Sequence, residues 1–157
     1  MSIYLVVSII INIGFIGYYL GRFFLSKKNS APNDVHDYVR EGIDHQDNRI
    51  ALFSAMLALS ARIANADGQI LPSEKQVVTT GLGIDQSGFE FSASLFSAAL
   101  ESDVSNEEVA SVISKVYKTD REKLAVVNFL EQIAIADGEY HDKEKKLIAE
   151  IRDMLGV

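Results

Sequence analysis

Apolar positions along this chain fall into two regimes. From Ile3 to Leu25 the sequence IYLVVSIIINIGFIGYYLGRFFL stays apolar with a single late charge at Arg22, and about twenty such residues are what a bilayer-spanning helix needs. Residues 1–25 are therefore predicted to form a transmembrane helix. Ser26 to Asp34, SKKNSAPND, is polar, contains a proline and has no periodicity, so 26–34 reads as a tether. Beyond it no segment keeps a period of two, whereas apolar residues recur at three- and four-residue spacing behind helix-start signals. Residues 35–157 are expected to form one all-α domain.

Val35 to about His45 predicts a short polar helix. In Asn48 to Ala66, Ile50, Leu52, Phe53, Met56, Leu57, Leu59 and Ile63 alternate with alanines and leave almost no polar face; a helix apolar all round is a buried one. Arg121 to Ala136 repeats the property through Leu124, Val126, Val127, Phe129, Leu130, Ile133 and Ile135, and the two are expected to pack together at the centre. Pro72 opens an outer helix to about Thr80, ended by Gly81 and Gly83. Asp85 caps a further one with a stripe of Phe89, Ala93, Phe96 and Leu100. Ser105 and Glu108 form a capping-box pattern ahead of Val109, Val112, Ile113 and Val116. Asp142 to Leu155 closes the chain with Leu147, Ile148, Ile151 and Leu155 on its core face. The total is about six to seven helices after the membrane span.

The chain repeats itself. IANADGQILPSEK, Ile63 to Lys75, returns seventy positions later as IAIADGEYHDKEK, Ile133 to Lys145. Each copy leaves an apolar helix through Asp-Gly and reaches a Glu seven residues after the Asp. Asp67 and Asp137 sit where the partial negative charge of a helix C-terminus disfavours an anion; Gly68 and Gly138 supply the left-handed residue that ends a helix; Glu74 and Glu144 fall in the first turn of the next helix. Two readings are open. The acids serve only their own turns and caps, or the hairpins face each other and Asp67, Glu74, Asp137 and Glu144 hold a divalent cation, Ca²⁺ or Mg²⁺, that relieves their repulsion. An EF-hand is excluded. D-G-x-x-x-x-x-E matches the second half of its loop, but Ile63 and Ile133 occupy the place of its first ligand.

Charge and composition narrow the function. Arg22, Lys27 and Lys28 lie on the C-terminal flank of the span, which predicts a single-pass protein of the inner or cytoplasmic membrane, N-terminus outside and domain in the cytoplasm. A cleaved signal peptide is disfavoured, because no Lys or Arg precedes the apolar run and no clear A-x-A site follows. After Asn33 the remaining 12 basic residues face 22 acids, a balance of −10, which argues against nucleic acid. There is no cysteine, so thiolate catalysis, disulfides and zinc ribbons are out. Gly14, Gly17 and Gly21 share one face of the span, a G-x-x-x-G pattern through which two membrane helices approach closely, so a homodimer is a candidate. His36, His45 and His141 lack H-E-x-x-H company, and nucleophile-elbow and phosphate-loop motifs are absent. No enzymatic activity is expected, and His141 reads as a solvated loop residue whose counterpart is Leu71.

The doubled I-A-x-A-D-G-x-x-x-x-x-E pattern, flanked by apolar helices, resembles the tellurite-resistance TerB family over about Asp47 to Val157. The resemblance implies an all-helical domain with a pseudo-twofold duplication, and divalent-metal binding carried over to Asp67, Glu74, Asp137 and Glu144. A glycine-bearing N-terminal membrane helix before such a domain is similar to the DjlA co-chaperones. Their J domain carries an H-P-D tripeptide that these residues lack, so J-domain activity is not implied. The expected function is a membrane-tethered, cytosolic, metal-binding interaction module in a stress-response or protein-assembly complex, its protein partner unspecified. The alternatives are a Mg²⁺-dependent hydrolase or phosphodiesterase built on the same acids, and a metal-free structural membrane adaptor.

Overall fold

A computed structural model describes residues 37–84 and 96–157. The predicted membrane span, its Gly14, Gly17 and Gly21 face and the tether lie outside the described residues, as do Asp85, Phe89 and Ala93. Among the described residues no helix is long and apolar enough to cross a membrane. Six helices are bounded there: α1 Asp37–Ile43, α2 Asn48–Ala64, α3 Pro72–Gly81, α4 Asn106–Val116, α5 Asp120–Ala134 and α6 Asp142–Leu155. Residues 96–101 are also helical. No strand occurs among the described residues, so the domain is all-helical as its periodicity predicts.

The core is organised around α2. Asp47 starts it, its Oδ1 accepting from the amide of Arg49 at 2.9 Å, and Asn65 closes it by donating to the carbonyl of Ala61. Thirteen of its seventeen residues are buried, Ser54 and Ser60 among them. All five other bounded helices contact it. Met56, Leu57, Leu59 and Ile63 are at most 1% exposed, and each such side chain contributes about 1.5–3 kcal/mol by leaving water. Alanines at 51, 55, 58, 61 and 64 keep the remaining faces thin enough for neighbours to approach.

α5 departs from expectation. It touches α2, but the most extensive partners of α2 are α4 and α1, and α5 is not apolar all round. Only Ala125, Val126, Val127, Leu130, Ile133 and Ala134 are buried, while Arg121, Gln132 and the cap residue Ile135 are exposed, Ile135 to 50%. Arg121, Asn128, Glu131 and Gln132 share a polar face at helical spacing, so α5 is less enclosed than α2. Both repeated helices also end two residues earlier than predicted. Ala66 and Ala136 donate to the carbonyls of Ile63 and Ile133, and Gly68 and Gly138 to those of Asn65 and Ile135, at 3.0–3.1 Å; these i to i−3 bonds tighten the exit into a turn.

Caps and side-chain ties fix the rest. Ser105 with Glu108 and Thr119 with Glu122 form reciprocal capping boxes at the starts of α4 and α5. Gly83, at φ +64°, ends α3 with the Ile84 amide reaching back to the carbonyl of Thr79 at 2.8 Å, the six-to-one bond of a left-handed helix stop. Gly81 is glycine for space: a Cβ there would collide with the ring of Phe129 on α5. Arg62 joins the last turn of α2 to the chain before α4, donating to Asn106 Oδ1 at 2.6 Å and to the carbonyl of Val104.

Candidate functional site

The two hairpins are the same construction made twice. After α2 the Asp67 Oδ1 accepts from the amide of Gln69 at 2.8 Å; after α5 the Asp137 Oδ1 accepts from the amide of Glu139 at 2.9 Å. Gly68 and Gly138 follow at φ +99° and +94° with open space around them, a backbone conformation that L side chains resist. Both helices that follow are capped from within. The Oε2 of Glu74 accepts from the amide of Leu71 at 2.6 Å, and that of Glu144 from the amide of His141 at 2.9 Å. These bonds answer the electrostatic problem posed by Asp67 and Asp137 at helix ends, since a local amide compensates each one.

Burial separates the four acids into two kinds. Glu74 and Glu144 are 4% and 2% exposed, the only buried ionisable side chains among the described residues. Asp67 and Asp137 lie at the surface. Burial pushes both glutamate carboxyls above the ordinary carboxylate range, the capping amides oppose the shift, and the nearby Asp67 and Asp137 charges add to it in both cases; Glu74 additionally feels Glu144. The four carboxylates thus share one electrostatic neighbourhood, across seventy residues of chain.

Each acid spends one oxygen on its own turn. Among the described residues, the second oxygens, Oε1 of Glu74 and Glu144 and Oδ2 of Asp67 and Asp137, receive no hydrogen bond; the Asp67 Oδ2 lies 4.0 Å from the imidazole of His141. Their chemistry suits a hard cation, which takes oxygen donors and offsets like charge. As they stand, no three His, Asp or Glu side chains among the described residues are gathered closely enough to ligate one ion. The turn and cap bonds of the first reading are all present: each of the four acids accepts from an amide of its own hairpin.

His141 is the residue of the second hairpin that approaches the first. It is the N-cap of α6, and its Nε2 stands 4.0 Å from Asp67 Oδ2 on the opposite hairpin and 3.6 Å from Glu139 Oε2 on its own, with 39% of the side chain exposed. In the first copy the positions of His141 and Glu139 are held by Leu71 and Gln69. Beside the hairpins a cavity of about 380 Å³ lies between α3 and α5, lined by Ser73, Gln76, Thr80, Gln132 and Phe129 among others, with no Lys or Arg. It offers no cation for a phosphoester substrate.

Residues 53–157 match the family model described as tellurite resistance protein TerB. Neither the curated proteins nor the solved structures yield a match.

Proposed function

The chain belongs to the TerB family, and from that membership we propose that it acts as a membrane-tethered, cytosolic module that binds a divalent cation between its two acidic hairpins and presents the helical bundle to a protein partner in a stress-response or protein-assembly complex. The observation that supports the metal reading is the pair of buried glutamates, raised by burial and by the neighbouring Asp67 and Asp137 charges. Asp67, Glu74, Asp137 and Glu144 would hold the ion, with modest side-chain rotation bringing their spare oxygens together. Its positive charge would relieve the repulsion among them and tie the exit of α2 to the exit of α5. The tether rests on the apolar run Ile3 to Leu25 and its basic flank, and the glycine face within it supports self-association.

Calorimetric titration of the purified 157-residue chain with Ca²⁺ and Mg²⁺ tests the ion. Binding should be measurable for the native chain and lost in Asp67→Asn/Asp137→Asn. Absence of heat and of any change in melting temperature at millimolar ion, in both proteins, would remove the metal from the reading. What then remains is a metal-free adaptor, a reading favoured by the turn and cap bonds already made by all four acids. Orientation is tested by a reporter active only in the cytoplasm, fused after Val157, which should be active.

A further inference from the structure

The internal repeat reaches beyond the acidic hairpins. The same offset of seventy positions carries α1 onto α4, α2 onto α5 and α3 onto α6. Val39 and Ile43 of α1 correspond to Val109 and Ile113 of α4, and all four are buried. The repeating unit is therefore three helices. Contacts between the units recur as well, since α3 touches α5 and α6 touches α2. One contact is not repeated. α4 packs across the units on α2 and α6, and Arg62 of α2 holds its first residue through Asn106 Oδ1 at 2.6 Å. Its counterpart α1 lies instead on its own α2, with Gly42 set against Ser54.

The place equivalent to the seat of α4 is the cavity of about 380 Å³ between α3 and α5, whose walls come only from these two helices and the turn after α5. Gln132 stands there where α2 has Arg62, Phe129 where it has Leu59, and Gly81 where α6 has Ile151. Leu59 and Ile151 are fully buried, whereas Phe129 is only partly so. Gln76, Thr80 and Gln132 are exposed along the rims. Ile135, 50% exposed, adjoins the wall residue Ala136 in the chain. Small-molecule sites bury about 70–90% of their ligand, which a trough with such exposed rims does not do. An amphipathic helix laid along the trough covers it, its side chains entering between α3 and α5.

We propose that the α3–α5 groove is the docking site for an amphipathic helix of a partner protein. The helix presents an uncharged face with the spacing of Val109, Val112, Ile113 and Val116, and carries Lys or Arg on its outer side. Charge sets both features. The walls of the groove hold neither acid nor base, so a charge on the docked face would lose its water without gaining a counterion. The chain after Asn33 has a balance of −10, so basic outer residues speed and orient the encounter. The proposal deepens the partner-presenting part of the reading above and is independent of the metal.

The probe is a synthetic peptide with the sequence of Ser105 to Tyr117, the chain's own docked helix, carrying Glu107→Lys/Ser111→Lys on the face that α4 exposes. A scrambled peptide of the same composition is the control. Each is titrated into the purified full chain with chelator present, followed by amide NMR. The ordered peptide should bind, with shifts concentrated at Val77, Thr80, Phe129, Gln132 and Ile135. Gln132→Lys places a charge on the exposed rim and should weaken binding about tenfold or more. Met154→Lys adds the same charge on α6, whose end is tied to Lys123 near the start of α5, and should change it by no more than about twofold. Equal weakening by the two variants, equal binding of the scrambled peptide, or no binding of either peptide would overturn the proposal. Shifts that map to another face would overturn it too, while keeping the partner-presenting reading; the metal reading stands or falls separately, by its own calorimetry.

Discussion

The two halves of the repeat share a backbone plan and have diverged in what surrounds it. α2 is enclosed by its neighbours and α5 is less so: some equivalent positions seventy residues apart, such as Met56 and Val126 or Ile63 and Ile133, are buried in both copies, while others differ in what surrounds them or in the residue they carry. Phe53 is 3% exposed inside the bundle, while its counterpart Lys123 extends to donate to the carbonyl of Leu155 at 2.8 Å. Leu130 is fully buried, and so is its counterpart Ser60, whose hydroxyl has no hydrogen-bond partner. The hairpins, by contrast, agree bond for bond. Duplication has preserved the element that positions the acids and released the helices to take different places in the core.

That contrast can be broken most forcefully at the Phe53 and Lys123 pair. Phe53→Lys should destabilise the domain by about 4 kcal/mol or more, because a charge would be buried without a partner, whereas Lys123→Ala should cost about 1 kcal/mol, one hydrogen bond to a carbonyl. Chemical denaturation measures both, and similar losses would mean that the two helices are equally enclosed. The next effect is at Leu130 and Ser60. Leu130→Ala should cost about 2–5 kcal/mol, and Ser60→Ala should raise stability by about 1 kcal/mol by removing an unsatisfied hydroxyl.

Smaller effects probe the agreement between the hairpins. Gly68→Ala and Gly138→Ala should each cost about 1–2 kcal/mol from left-handed strain alone, and by equal amounts, since neither site is crowded; an inequality would show that one turn is loosened by its surroundings. The smallest effect is in pH. Glu74 and Glu144 are raised in the fold, so their contribution to stability is full below the ordinary glutamate pKa and is lost as pH rises through the raised folded values. Glu108, held down to about 2 by the Arg40 guanidinium, has the opposite sign: its contribution is present above the ordinary value and lost as pH falls toward 2. With chelator present, Glu74→Gln/Glu144→Gln should therefore gain melting temperature on the native chain as pH rises from about 4 toward neutrality. A difference that is flat in pH would remove the burial argument for these two acids.

Much of this was legible in the sequence. Ser105 with Glu108, Pro72, and the Asp-Gly turns announced their elements through local chemistry, and the all-round apolar pattern of α2 identified the central helix. The error on α5 has a physical origin. The apolar residues of α5 share the helix with a polar face of Arg121, Asn128, Glu131 and Gln132, and Ile135 falls on the cap, where the chain has turned away from the core. Thr119 with Glu122 carried a capping-box signal as clear as that of Ser105 and passed unnoticed. The proximity of His141 to Asp67 and the ties of Arg40 to Asp103 and Glu108, at 3.0 and 2.7 Å, join residues more than sixty positions apart, which no local pattern encodes. Which neighbours α2 chooses is likewise set by how whole faces fit.

The seam between α1 and α2 has a mechanical consequence. Gly42 lies against Ser54 so tightly that a Cβ would collide with the serine side chain, and Arg40 on the same helix pairs with Asp103 and Glu108 at the start of α4. Displacing α1 therefore requires breaking its seam with α2 and its ion pairs to Asp103 and Glu108 together. α2 in turn ends at the Asp67 turn, so α1 is anchored to the same helix from which the first acidic hairpin leaves.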